Sequence, residues 1–529
     1  MALRGAAASP GVAVGLAVGS WQLAAGSQLA VGSDAASALE ATAARLDELA
    51  AAADGAEAEI LSAGAMMARD PALAAAAEAA AAAGESLGDA LLTATEGFAN
   101  QLEAIDDPTL SARAEDVRSI GRRAVQNLSP VTYDLSPDGP VVVIAPDLGP
   151  ADVAELPATT VGIALAQGAV TAHAAIVARA RGIPMVVGAG PGLLEAEGML
   201  VVDGDSGEIF DNPEPERVRA AEEVMAARAS EHARARADRG LPAVTRDGRA
   251  LRVLCNAASA AEVDAGLEAG AEGAGLIRTE LAFLEALEWP SEAQHAAALR
   301  PVLEPLAGRL ATVRVLDFGG DKTPPFLAGT PDRGLALLLG ATGAFGAQLR
   351  AILAGAADAR CDLRVLLPMV RSAGELAAAR ELLEWVAGKS QLSVPAVGAM
   401  IETPQAAAAA IELTSDADFL SIGTNDLTHA TLGSDRFAAV DAPTQDAAVL
   451  RNIDRSVRAA HAAGLPIEVC GEAASDPQML PLLVGLDVDE LSVGAARVGA
   501  TRAWIRELDH GQCREQARRA LGPPLSATR

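Results

Sequence analysis

The chain predicts an α/β multidomain protein: an N-terminal α/β domain with an inserted helical bundle, a linker helix, and a C-terminal (β/α)8 TIM barrel. Three observations predict it. After Pro242 eight short apolar runs recur with helical stretches between them: Val253–Cys255, Gly275–Ile277, Val313–Leu316, Val365–Pro368, Val397–Met400, Phe419–Ile422, Ile467–Cys470 and Leu491–Val493. That alternation is what a closed parallel barrel requires. Residues 139–212 alternate strand and helix patterns on a smaller scale, and residues 33–128 carry a helical pattern throughout. The expected boundaries are 1–32 with 129–212 for the first domain, 33–128 for the insertion, 213–240 for the linker and 241–529 for the barrel.

Composition narrows the function. A chain of 529 residues has length for two to four domains. It is 50% hydrophobic but 2% aromatic, so its cores must be built from Ala, Val, Leu and Ile. A net charge of −29 disfavours nucleic acid and anionic membranes, and suits a partner with a basic docking face. Met1–Pro10 has no signal-peptide layout, and runs such as Val141–Ile144 are too short to span a bilayer. Cys255, Cys361, Cys470 and Cys513 are scattered without metal-ligand spacing, as in a reducing compartment. A cytoplasmic protein without direct membrane insertion is expected.

Each element has a local cause. Gly and Pro punctuate Ala8–Gly15, a strand and turn too short to fold alone. Leu39, Leu46 and Leu49 share one helical face. Asp70-Pro71 and Asp107-Pro108 each pair an N-cap with a proline at the first helical position. Ala74–Ala83 favours helix because Ala is the best helix former. Val141–Ile144, Val161–Ala164, Met185–Val187 and Leu200–Val202 are the strands of the first domain. Asn212-Pro213-Glu214 opens a charged helix running to about Arg239, and Gly240-Leu241-Pro242 ends it.

One stretch carries a nucleophile. After the Gly168-Ala169 turn, Thr171 is placed to cap a helix through Arg179, with His173 in its first turn. Free N–H groups and partial positive charge there welcome a phosphate. A neutral imidazole is a usable nucleophile near pH 7. The alternative is a histidine merely packed beside Ile176 and Val177.

The barrel's strand ends gather ionisable residues. Arg278 follows the second strand, Arg314 lies on the third, Glu402 follows the fifth, Asp426 the sixth, and Cys470 ends the seventh. Neighbouring strands lie about 4.8 Å apart, so Glu402 and Asp426 can share a hard cation such as Mg²⁺. Arg278, Arg314 and Arg436 are cationic forks for phosphate and carboxylate. Cys470 beside them can donate a proton; alone, it reads as a small buried hydrophobe.

Thr171-Ala172-His173 with Arg179 and Pro184 resembles the phosphohistidine motif, Gly-Gly-x-Thr-Ser-His, of the phosphoenolpyruvate-utilising enzymes. Ala169, Val170 and Ala172 depart from it. Gly275–Glu280, Gly319-Gly320-Asp321-Lys322, Ile401-Glu402-Thr403-Pro404, Ser421–Thr428 and Cys470-Gly471-Glu472 resemble that family's barrel motifs, in the enzyme I branch of the sugar phosphotransferase system. The Ala8-Ser9-Pro10-Gly11 opening and the Phe98–Gly121 stretch resemble the same branch. Gly64, His429, Ala430 and Ser475 replace residues common there, and Thr330–Gly334 is a degraded version of its motif.

The resemblance implies a swivelling phosphohistidine domain with His173 as the nucleophile. It implies that Arg278, Arg314, Asn425, Arg436 and Arg333 hold phosphoenolpyruvate, Glu402 and Asp426 ligate Mg²⁺, and Cys470 protonates the enolate to give pyruvate. The implied partner is an HPr-type phosphocarrier docking on the helical insertion, and the implied assembly is a homodimer through the barrel. Two other readings stay open. A pyruvate dikinase or phosphoenolpyruvate synthase would charge the same histidine from ATP. Only about 170 residues precede His173, without a Gly-rich nucleotide loop, although Ala174–Arg179 locally resembles that branch. The third reading is a catalytically weakened regulatory homologue.

Overall fold

The structure is a computed structural model. It describes residues 2–19, 34–53, 55–104, 113–128, 139–170, 172–284, 286–320, 322–433 and 444–522. The chain divides into two compact units, Met1–Ser230 and Glu231–Arg529.

In the first unit the described residues form one eight-stranded sheet. Its strands are β1 (Ala2–Arg4), β2 (Ala6–Ser9), β3 (Val12–Gly19), β4 (Val141–Ala145), β5 (Thr160–Leu165), β6 (Met185–Val187), β7 (Met199–Asp203) and β8 (Glu208–Asp211). The order is β1-β8-β7-β3-β4-β5-β6-β2. β3 to β6 run parallel, and the outer strands pair antiparallel. β4 is buried along its whole length, which explains a run of valines without alternation. The N-terminal segment supplies β3, an interior strand, so residues far apart in sequence build one sheet.

Among the described residues five helices lie between β3 and β4: α1 (Ala35–Ala52), α2 (Gly55–Ala68), α3 (Pro71–Ala82), α4 (Leu87–Glu103) and α5 (Ala114–Leu128). Their starts are written in the sequence. Asp34 accepts from Ser37 N at 2.8 Å, and Asp70 from Ala72 N at 2.8 Å with Pro71 in the first position. The Asp107-Pro108 start lies outside the described residues. Leu39, Leu46, Leu61, Leu91 and Ile120 share a core with Val143 and Ile163 of the sheet. Leu49 is half-buried at its margin. Two short helices, α6 (Pro150–Ala154) and α7 (His173–Ala180), lie between sheet strands, and α8 (Pro215–Ala237) follows β8. The start of α8 packs Val218 and Ala221 on Val14 and Val201, and Arg217 lies 3.8 Å from the centre of the Phe210 ring.

The second unit is a closed barrel. Its strands are β9 (Arg252–Ala257), β10 (Gly273–Arg278), β11 (Leu310–Arg314), β12 (Asp362–Leu367), β13 (Ala396–Ile401), β14 (Phe419–Gly423), β15 (Ile467–Cys470) and β16 (Glu490–Gly494). Neighbours pair in parallel, and β16 closes onto β9. The eight expected strands are all present, in the expected order. Leu276, Leu366, Met400, Phe419 and Cys470 form a buried cluster of their own. Gly398 makes room for the Phe419 ring, since a Cβ there would lie 2.2 Å from its Cζ. Among the described residues no single helix is long and apolar enough to cross a membrane. The one bent pair that passes by length and composition, Gly334–Gly340 with Thr342–Ala359, puts Leu335, Phe345 and Ile352 into the barrel core.

One buried group makes the barrel sensitive to acid. His295 is the fourth residue of the helix Glu292–Leu303, which starts behind a Ser291–Gln294 capping box. Its ring stacks edge-on to Phe283 at 4.9 Å, and neither nitrogen has a hydrogen-bond partner among the described residues. Burial lowers its pKa to about 4. The unfolded chain therefore binds the extra proton first as pH falls below about 6.5. This contribution is complete above that value and is lost progressively towards pH 4, by about 3 kcal/mol in all. His295→Leu should remove the loss between pH 7 and 5, read from urea midpoints of the barrel unit. An unchanged pH dependence in the variant would assign it to other groups.

Candidate active site

The first set of groups surrounds His173. The turn closes with Ala172 N donating to Ala169 O at 3.0 Å, and Ala172 then takes the extended conformation of an N-cap. The capping position thus falls to Ala172, which has no side chain to cap with, and not to Thr171, which lies outside the described residues. His173 is the first helical residue, while Ala174, Ala175, Val177 and Ala178 bury the helix against the core. Arg179 ties the helix down, donating to Ala8 O at 2.7 Å and Val170 O at 3.3 Å.

His173 has a fixed orientation. Its Nδ1 lies 2.9 Å from Oδ2 of Asp116, a buried carboxylate on α5 with Arg113 3.5 Å away. An ionised carboxylate can only accept, so Nδ1 donates and Nε2 keeps its lone pair. In this arrangement Nε2 is the ring nitrogen that can act as a nucleophile.

The second set lies in the barrel unit. Arg278 and Arg314 end β10 and β11 and are paired in register. Arg278 is partly exposed, 3.7 Å from Glu262. Arg314 is buried, with Nη2 2.5 Å from Glu280 and Nη1 3.1 Å from Asp317. Lys322 reaches the same Glu280 oxygen at 2.9 Å and Asp317 at 3.5 Å. Burial works against every charge here. For Glu280 it is outweighed by Arg314 and Lys322, which hold its carboxyl below the usual range. For Arg314 the surrounding carboxylates outweigh it and raise the pKa.

Glu402 follows β13 and accepts from Met369 N at 2.8 Å. A Cβ on Gly423 would lie 2.7 Å from its Cγ, so the glycine ending β14 lets Glu402 cross that strand. Asp426 sits in the first turn of the helix Thr424–Leu432, not on the strand end itself, and meets Arg333 at 3.5 Å. The chain turns into that helix directly after Gly423, which carries Asp426 three residues beyond the ladder. Burial raises the Glu402 pKa to about 7, with Asp317 and Asp426 adding to the rise and Arg314 opposing it. Asn425 accepts from Glu472 N at 3.0 Å. Cys470 ends β15, as expected, and is buried there. Burial drives its thiol well above the usual range. Arg436 lies outside the described residues, as do Asp435 and Asp321.

Three family models match in chain order: PEP-utilising enzyme, N-terminal, over residues 4–113; its mobile domain over 137–207; and its PEP-binding domain over 232–510. The chain belongs to the PEP-utilising enzymes. A phosphoenolpyruvate-protein phosphotransferase of Streptomyces coelicolor is 36% identical over 91% of this chain and 87% of its own length. Multiphosphoryl transfer proteins of Rhodobacter capsulatus and Xanthomonas campestris are 39% and 37% identical over 87% and 81% of this chain. The chain spans 57% and 53% of their lengths, little more than half.

In this PEP-utilising enzyme several site groups were not singled out by sequence reasoning. Asp116 is 57 residues from His173, and only tertiary packing brings the two together. Glu280 and Lys322 stand in the barrel motifs, and Asp317 two residues before Gly319, without an assigned role. The signal for them was available, since strand-end arginines need counter-charges once buried. The donor set fits a hard cation. Asp317 Oδ1 is buried without a partner, and Glu402 is crowded by two further carboxylates. Among the described residues no group of three His, Cys, Asp or Glu side chains is arranged to hold a metal. Mg²⁺ needs only one or two carboxylates when phosphate and water complete its shell.

Proposed function

We propose that this chain moves the phosphoryl group of phosphoenolpyruvate onto His173, and from there onto an HPr-type histidine-containing phosphocarrier, releasing pyruvate. The observation that carries the reading is the His173–Asp116 bond at a helix N-terminus, which leaves Nε2 free to attack. Arg278, Arg314, Arg333, Arg436 and Asn425 hold the substrate's phosphate and carboxylate. Glu402 and Asp426 would hold Mg²⁺, which when bound would neutralise charge on the phosphate. Nε2 forms the N–P bond as the bridging P–O bond breaks, and the enolate takes a proton at carbon from Cys470. Residues 33–128 are assigned to carrier binding, and residues 213–240 to the segment on which the phosphohistidine domain swings. The relative named a phosphoenolpyruvate-protein phosphotransferase supports the reading. A homodimer through the barrel and a cytoplasmic location belong to the same proposal.

The test is incubation with radiolabelled phosphoenolpyruvate and Mg²⁺. Acid-labile label on His173, with one pyruvate formed per label, is expected; acid-stable label or none would refute the proposal. Chelation of the divalent ion should stop labelling.

Asp116→Asn should slow labelling on the order of 100-fold or more, because an amide can hold the ring in the other tautomer. Rapid-quench labelling measures it. A wild-type rate in the variant would remove Asp116 from the mechanism.

A further inference from the structure

We propose that Glu468 stores a proton for Cys470 and passes it through Ser421; the inference rests on the role given above to Cys470. β14 and β15 pair so that Ser421 lies beside Glu468, and Gly423 beside Cys470. Alternation along β15 puts Glu468 and Cys470 on one face. The side chains form a row. Glu468 Oε1 is 3.3 Å from Ser421 Oγ, which is 3.4 Å from Cys470 Sγ. All three residues are buried.

Glu468 has no cation of its own. The titratable and charged groups around it are Cys470 on its own strand, Glu490 on β16 and Arg364 on β12, of which Arg364 favours the carboxylate. Arg364 of β12 and Arg252 of β9 are engaged by Glu490, at 2.7 and 2.8 Å. Among the described residues Glu468 Oε2 has no hydrogen-bond partner. A lone carboxylate in such surroundings is far less stable than the neutral acid. Burial, then Glu490, pushes the Glu468 pKa well above the carboxylate range. The acid therefore keeps its proton until a stronger base appears beside it. A Cys470 thiolate is that base, because a thiol is the weaker acid to begin with and burial weakens it further.

The step balances. Cys470 gives its S–H proton to the enolate carbon, forming a C–H bond of the pyruvate methyl and leaving a thiolate. Ser421 gives its hydroxyl proton to the sulfur and takes the Glu468 proton, leaving a carboxylate. Once pyruvate departs, solvent water supplies a proton along the same three groups and restores the acid. The thiolate is thus quenched while pyruvate is still bound, and it cannot take the same methyl proton back.

The experiment compares two exchanges in one mixture of full-length chain, phosphoenolpyruvate, carbon-labelled pyruvate, Mg²⁺ and deuterated water. Carbon label entering phosphoenolpyruvate counts reversals of phosphoryl transfer. Deuterium entering the methyl group counts hydrogen passed from solvent to Cys470. In the wild type the two rates should match. In Glu468→Gln, which keeps the size of the side chain but has no acidic proton, deuterium entry should fall roughly tenfold or more relative to carbon exchange. Ser421→Ala should show the same fall. A structural role would lower both rates together and leave their ratio unchanged. An unchanged ratio in either folded variant overturns the relay alone. A wild type without carbon exchange overturns the phosphotransfer reading itself, and the relay with it.

Discussion

His173→Ala is expected to abolish phosphorylation of the chain while phosphoenolpyruvate still binds to the barrel unit. The two functions rest on different residues. His173 and Asp116 belong to Met1–Ser230, and every residue assigned to phosphoenolpyruvate belongs to Glu231–Arg529. Alanine suits the first position of α7, and the helix keeps its anchors Ala174, Ala175, Val177 and Ala178. The variant leaves Asp116 buried with Arg113 as its ion partner among the described residues, a cost of about 1–3 kcal/mol. That is small against the loss of the only group proposed to form the N–P bond. Label from phosphoenolpyruvate should fall to background, while calorimetric titration with phosphoenolpyruvate and Mg²⁺ should match the wild type. Label persisting on another residue would end the assignment of His173.

The barrel was legible because each of its strands is a short, buried apolar run bounded by turn residues. β15 has the expected limits, Ile467–Cys470, and most others extend by one to three residues where the ladder continues past the apolar run. β8 was not legible: Glu208 and Asp211 bracket Ile209 and Phe210, which reads as turn and surface. The place of His173 in a first helical turn was legible from the alanines that follow it. Its cap was not, because the Ala169–Ala172 turn shifts the capping position by one residue. Strand ends pointed to Arg278, Arg314, Glu402 and Cys470 as the groups to inspect in the barrel. They could not tell which charges would be spent on each other, as Arg314 is on Glu280 and Asp317. Glu468 was available to a stricter use of the two-residue period, since it shares the face of Cys470 and interrupts an otherwise apolar strand.

Cys470→Ala should slow pyruvate formation by about 10²–10⁴, the range a positioned proton donor contributes. The fold should survive, because the side chain lost is small and the neighbours Leu276, Leu366, Met400 and Phe419 remain packed. The expected destabilisation is about 1 kcal/mol. Phosphoenolpyruvate affinity should hold, since none of the proposed phosphate and carboxylate contacts is assigned to the thiol. The loss should therefore fall on kcat and leave KM nearly unchanged. The second variant sharpens the argument. Glu468 acts only through Cys470, so adding Glu468→Gln to Cys470→Ala should slow turnover no further. Additive losses would mean that Glu468 reaches the reaction by another route. Near-normal turnover in Cys470→Ala alone would show that water protonates the enolate, and would remove both residues from the mechanism.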